Sequence, residues 1–146
     1  MNHDFREELK TLGLKATPRR LAILQTLADS SIYLSAEEVW AKLKEGSQGV
    51  GLPTIYRNLE ELAEGGLLSK VLHPDRKLYY YLCQNKGHHH HFVCVSCRRV
   101  EDIGTCALDA ISREIKKTFR GKVLSHTFQV EGLCEDCCHE QETKKQ

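Results

Sequence analysis

No apolar run in this 146-residue chain is longer than a handful of residues, so no helix in it is expected to span a bilayer. The opening stretch, MNHDFREELK, is charged and lacks the apolar segment of a secretory leader. The expected compartment is therefore the cytoplasm, with no membrane partner. There is no internal repeat, which removes collagen-like, coiled-coil and solenoid architectures. An excess of charge of one sign is also lacking. Net charge is +1, with 11 Lys/Arg against 11 Asp/Glu in residues 1–82 and 10 against 9 in residues 83–146. Neither half is a polycation, so any nucleic-acid binding must rest on local pattern.

Hydrophobic residues make up 40% of the chain and charged residues 28%, a globular rather than disordered balance. The abundant chemistry is cysteine and histidine, 7 and 8 residues. Six of the seven cysteines follow residue 90, and Cys83 lies just before it. In a reducing compartment so many thiols point to metal before disulfides.

The first half reads as helices followed by a hairpin. Residues 5–12 suggest a short helix ending at Gly13. Thr17-Pro18 opens a second, with threonine as cap and proline at the first helical position; Leu21, Leu24, Leu27 and Ala28 form its apolar stripe. Ser35-Ala36-Glu37-Glu38 has capping-box spacing before Val39, Trp40 and Leu43. Gly46 to Gly51 reads as a loop. In the next helix, from Leu52 to Ala63, Ile55, Leu59, Leu62 and Ala63 face inward. Thr54, Tyr56, Arg57 and Asn58 mostly face outward, and Gly65-Gly66 ends it. Leu67–Leu72 and Lys77–Leu82 are strands around the turn His73-Pro74-Asp75-Arg76. This order describes a winged helix-turn-helix.

Gln84-Asn85-Lys86-Gly87 reads as a hinge between a winged-helix domain over 1–83 and a second domain over 84–146 that holds most of the cysteine and histidine. In the second domain, His88–Val95 and Arg99–Ile103 read as strands. Leu108, Ile111, Ile115 and Phe119 are spaced for an amphipathic helix that Gly121 stops. Lys122–Val130 is expected as a further strand, and Glu140–Gln146 as a frayed polar tail. The fold class is therefore α+β. The second domain's core is thin, and metal and a second subunit are expected to complete it.

Cys94-Val95-Ser96-Cys97 and Cys134-Glu135-Asp136-Cys137 are two Cys-x-x-Cys knuckles. Four thiolates suit tetrahedral zinc in a closed, structural site. The competing reading, two unrelated redox knuckles, needs a different fold context. The run His88-His89-His90-His91 is internal. On a strand its members alternate, so His88 and His90 face one way and His89 and His91 the other. One strand can thus serve two separate sites, for zinc, iron, nickel or copper. Cys83, Asp102, Asp109 and His126 are available to complete them. Cys106 reads as a small buried thiol and Cys138 as a neighbour of the distal knuckle. His3 and His139 read as solvated.

Leu-Pro-Thr-Ile-Tyr-Arg-Asn-Leu, then His-His-His-His-Phe-Val-Cys-Val-Ser-Cys, then a distal Cys-x-x-Cys, resembles the ferric uptake regulator family of metal-sensing repressors over roughly residues 5–138. The resemblance implies a homodimer that binds double-stranded operator DNA when loaded with its metal. Position by position, it implies structural zinc at Cys94, Cys97, Cys134 and Cys137. It implies a secondary site at His88, His90, Asp109 and His126, and a regulatory hinge site that includes His89 and His91.

Two departures bear on the metal. Iron-, manganese- and peroxide-responsive members usually carry a histidine where this chain has Tyr33, and an acidic residue near Tyr80-Tyr81-Leu82. Cys83 instead resembles the sensing cysteine of zinc uptake regulators. Their usual aspartate falls at Ser69 here, leaving His73, Asp75, Asp102 or water as the fourth hinge ligand. A thiolate with two imidazoles favours zinc over iron(II) or manganese. The expectation is a zinc-sensing repressor with Cys83, His89, His91 and Asp102 as hinge ligands; iron-, nickel- or peroxide-responsive regulation is the alternative.

For DNA, Tyr56 and Arg57 are the expected base and phosphate contacts, and Thr54 at the helix N-terminus favours phosphate. Lys15 and Arg19 resemble the family's minor-groove and backbone contacts. A zinc deaminase is disfavoured, since no His-x-Glu pairs with Pro-Cys-x-x-Cys. A metal buffer would not need the helix-turn-helix.

Overall fold

The computed structural model describes residues 3–44, 49–85 and 87–145. The chain divides into two compact units, residues 1–84 and 85–146.

The first unit runs α1 (Arg6–Thr11), α2 (Pro18–Ala28), β1 (Leu34–Ser35), α3 (Ala36–Lys44), α4 (Leu52–Glu64), β2 (Leu68–Leu72) and β3 (Leu78–Leu82). Local chemistry sets these limits. Thr17 accepts from the backbone N–H of Arg20 at 3.2 Å, and Pro18 occupies the first turn of α2. Ser35 and Glu38 form a reciprocal capping box. The Glu38 N–H donates to Ser35 Oγ at 3.2 Å, and the Ser35 N–H to Glu38 Oε2 at 2.8 Å. Trp40 donates from Nε1 to the Val50 carbonyl at 2.7 Å, fixing the entry to α4. The expected loop Gly46–Gly51 lies partly outside the described residues, as residues 46–48 are not among them.

β3 is the central strand of an antiparallel sheet of order β1-β3-β2. Tyr80, in the middle of β3, is fully buried. Its hydroxyl donates to Glu60 Oε1 on α4 at 2.5 Å, and Lys70 on β2 pairs with the same carboxylate. The wing and α4 are thereby tied together beneath a core of Ile23, Leu24, Ile55, Leu59 and Leu62. Asn58, expected to face outward, is buried instead. Its amide donates to the Thr54 carbonyl at 2.8 Å, which lets a polar side chain lie on the core side of α4.

The second unit holds β4 (His90–Cys94), β5 (Val100–Ile103), α5 (Leu108–Phe119), β6 (Gln129–Gly132) and α6 (Glu135–Lys144). β4 is central, antiparallel to β5 and parallel to β6. The expected strand Lys122–Val130 is strand only from Gln129 onward. Residues before it have no ladder partner among the described residues, and Leu124 is 87% exposed. The expected frayed tail from Glu140 is helical as far as Lys144. Glu135 and Asp136 in the first turn of α6 and Lys144 in the last complement the helix dipole; Gln146 lies outside the described residues. α5 ends at Arg120, which itself takes the left-handed conformation (φ 55°), rather than at Gly121.

The two units differ sharply in core. Among the described residues of the second, the buried hydrophobic positions are Val93, Cys94, Cys134 and Cys137. Nothing on α5 is buried, and Ile111, Phe119 and Phe128 are exposed.

Candidate metal centres and nucleic-acid interface

The Cys94 and Cys97 knuckle turns the chain from β4 toward β5. The Arg98 N–H donates to the Cys94 carbonyl at 3.0 Å, and Arg98 itself adopts φ 66°. The other knuckle opens α6, with Cys134 as its N-cap and Cys137 in its first turn. Pairing of β4 with β6, Cys94 opposite Gly132, brings the two together. All four Sγ atoms lie within 4.8 Å of one another. Cys97 and Cys134 are 3.6 Å apart at sulfur, far beyond a disulfide of about 2.05 Å. It is close to the roughly 3.8 Å that separates sulfurs on tetrahedral zinc with bonds of about 2.3 Å.

The thiols do not share one acidity. Burial opposes ionisation of Cys94, but backbone N–H groups, that of Cys134 among them at 3.4 Å, outweigh it and hold the thiol at about 6. Cys137 is pushed up to about 12. Ser96 favours its thiolate, but desolvation and the sulfurs of Cys134, Cys94 and Cys97 work against it. Four sulfurs converging within 4.8 Å of one another fit a tetrahedral site for a dication.

At the start of β4, His89 Nε2 and His91 Nε2 approach to 3.0 Å. Nδ1 of His89 lies 2.6 Å from the Gly87 carbonyl. A carbonyl only accepts, so the neutral ring carries its proton on Nδ1 and presents a lone pair at Nε2. Asp102, opposite His91 on β5, places Oδ1 3.6 Å from His91 Nε2 and 3.9 Å from His89 Nε2. The Asn85 amide steadies it through Oδ2 at 3.2 Å. Burial holds the pKa of His91 below the usual imidazole value, which favours the neutral, ligating form. Cys83 directly follows β3 and belongs to the other unit.

The remaining alternatives for this site have their own partners within the first unit. His73 Nδ1 lies 3.1 Å from Asp75 Oδ1, and Asp75 also accepts from Tyr79 at 2.6 Å. Tyr33 is fully buried with its ring 5.1 Å from that of Tyr79. It serves as packing. Ser69 lies on β2 opposite Tyr81.

On the other face of the run, His88, His90 and His126 come together, with ring centroids 4.9 to 5.1 Å apart. Asp109, expected with them, is not in this group; it is exposed in the first turn of α5. Cys106 takes the fourth place, with Sγ 3.6 Å from His126 Nε2. No periodicity marks Cys106, because it lies in the irregular segment ahead of α5.

In the first unit, the start of α2 and the face of α4 enclose a cleft of about 710 Å³, lined by Lys15, Arg19, Arg20, Thr54 and Arg57 among others. Arg20 is neutralised by Glu61 and donates to the Lys15 carbonyl at 3.0 Å. Lys15, Arg19 and Arg57 form no ion pair among the described residues, so their charge is available to an anionic ligand. Tyr56 is exposed, and its hydroxyl donates to Glu37 Oε1 of α3 at 2.6 Å.

The family model described as the ferric uptake regulator family matches residues 11–131. A ferric uptake regulation protein of Legionella pneumophila is 35% identical over 132 residues, covering 90% of this chain and 96% of the relative. The crystal structure of the Vibrio cholerae ferric uptake regulator superposes with a TM-score of 0.63 at 30% identity, over 90% of this chain and all of that one. A zinc uptake regulator complexed with zinc and DNA superposes with a TM-score of 0.74 over 94% of this chain and 92% of that one. Its 23% identity makes that a likeness of fold alone.

Proposed function

Because the chain belongs to the ferric uptake regulator family, and so is a metal-responsive transcriptional regulator rather than an enzyme, we propose that it is a homodimeric cytoplasmic repressor that senses zinc. The observation that carries this reading is the donor set. His89 and His91 present ring nitrogens to one another beside Asp102, and the thiol of Cys83 stands six residues before His89. Six residues of chain reach roughly 20 Å when extended, ample for Cys83 to join them. A thiolate, two imidazoles and one carboxylate make a four-coordinate set suited to zinc. Buried Tyr33 supports the same choice, since it supplies no imidazole.

Bound there, a divalent ion would cross-link the end of the wing to β4. The residues do the rest. Cys83 is continuous with β3, and Tyr80 of β3 holds Glu60 of α4. The position of α4 is therefore coupled to whatever fixes Cys83. Two recognition helices must lie about 34–36 Å apart to enter successive major grooves. When no ion fixes Cys83 to His89 and His91, a smaller fraction of dimers meets that spacing, and apparent affinity falls by the same fraction. Lys15, Arg19 and Arg57 then neutralise phosphates, Thr54 lies at the α4 N-terminus, and Tyr56 reaches base edges. The exposed face of α5, with Ile111 and Phe119, supplies the dimer contact. Cys94, Cys97, Cys134 and Cys137 hold structural zinc.

Iron(II) is the second reading, favoured by relatives that are ferric uptake regulation proteins. DNA binding at buffered free zinc or iron(II) separates the two. A duplex selected by the zinc-loaded protein from a random pool serves as target. The zinc reading predicts zinc-dependent binding that is largely lost in Cys83→Ser. Activation by iron(II) alone, or a Cys83→Ser response equal to wild type, would overturn it.

A further inference from the structure

His90 is only 6% exposed, yet among the described residues its Nε2 has no hydrogen-bond partner. The other ring nitrogen is engaged with the Phe128 backbone. An imidazole that donates from one nitrogen to a carbonyl and leaves the other bare is the usual posture of a metal ligand. Around that nitrogen stand His88, His126 and Cys106, each with one ligand atom, all within 4.8 Å of one another. The adjoining cavity, about 170 Å³, is walled by Ile111, Ile115, Val123 and Phe128.

We propose that Cys106, rather than Asp109, is the fourth ligand of the secondary site that the family resemblance implies at His88, His90 and His126, making it a thiolate-containing site of zinc type. Three neutral imidazoles and one thiolate make a tetrahedral set for a borderline-soft dication. Binding forms one metal–sulfur bond and releases the Cys106 thiol proton to solvent. Three imidazoles with a carboxylate would accept harder ions, so the thiolate sets the metal preference of this face of β4. The site is separate from the one assigned to Cys83, and the test keeps the two apart.

Cobalt(II) is titrated into full-length Cys83→Ser that retains its tightly held zinc, under reducing conditions. The proposal predicts a near-ultraviolet thiolate-to-cobalt charge-transfer band with intense visible bands. Adding Cys106→Ser should abolish the charge-transfer band, whereas adding Asp109→Asn should leave it. Adding Cys106→Asp should keep cobalt binding but lose that band. Retention of the tight zinc in each variant reports that the second unit is folded, and Cys106→Asp replaces Cys106→Ser as the deciding variant should the latter lose its zinc. No thiolate band in Cys83→Ser, a band that survives both Cys106 substitutions, or loss of cobalt binding with Asp109→Asn would overturn the proposal.

Discussion

The sulfur of Cys97 lies 3.6 Å from that of Cys134, across 37 residues of sequence. That approach joins the turn after β4 to the start of α6, in a unit whose buried hydrophobic positions are few. Metal bound by these four thiols would supply folding free energy that the apolar core does not.

Replacing Cys134 with serine is therefore expected to unfold the second unit and release zinc. The single tryptophan, Trp40, lies in the first unit. Its fluorescence transition in urea should stay close to that of wild type, while far-ultraviolet circular dichroism loses the signal of the second unit. Loss of both together would show that the units do not fold independently.

Tyr80→Phe deletes a buried hydroxyl that donates to the Glu60 carboxylate. A hydrogen bond to a charged group is worth about 1.5–3 kcal/mol. Part of that is screened because Glu60 is partly exposed, so a loss of about 1 kcal/mol is expected, read from Trp40 fluorescence in urea. DNA binding should weaken too if the wing positions α4.

The bonds from Lys70 and then Tyr80 hold Glu60 below the ordinary carboxylate value. Its contribution is present above the unfolded-state value and is lost as pH falls through the folded one. Wild type should therefore lose more stability than Glu60→Gln between about pH 5 and about pH 3, by less than about 1 kcal/mol for so exposed a pair. Equal slopes for the two proteins would remove the assignment.

Arg57 lines the cleft and forms no ion pair among the described residues, the cleft's carboxylate Glu61 being paired with Arg20. Arg57→Ala should weaken DNA binding and lower the salt slope by about 1 if it meets phosphate. If it reads a guanine, discrimination at one base pair should relax by about 1–3 kcal/mol instead. An unchanged isotherm would place the DNA elsewhere.

Phe119 on α5 is 74% exposed, and Ile111 on the same helix is exposed as well. Ile111→Glu should convert a dimer to monomer in sedimentation equilibrium and reduce DNA affinity with it. A wild-type chain that is already monomeric when metal-loaded would contradict the assignment of this face.

The α+β winged architecture was legible because its signals are local: Thr17-Pro18, the Ser35–Glu38 box and the turn at His73–Arg76. The split of the histidine run followed from strand alternation alone, even though β4 begins only at His90. Tertiary effects were not legible. Asn58 turns inward because the Thr54 carbonyl accepts its amide. The 122–128 segment reads as a strand by composition but finds no ladder partner among the described residues. Cys106 meets the histidines only because the chain ahead of α5 folds back beside His126, a closure with no sequence period.

The most direct measurement is the cobalt(II) spectrum of the hinge site in a Cys106→Ser background with tight zinc retained. A zinc-sensing hinge predicts a thiolate-to-cobalt charge-transfer band and intense tetrahedral visible bands, both lost on adding Cys83→Ser. Identical spectra with and without Cys83 would contradict it, leaving a nitrogen and oxygen site and moving iron(II) ahead of zinc.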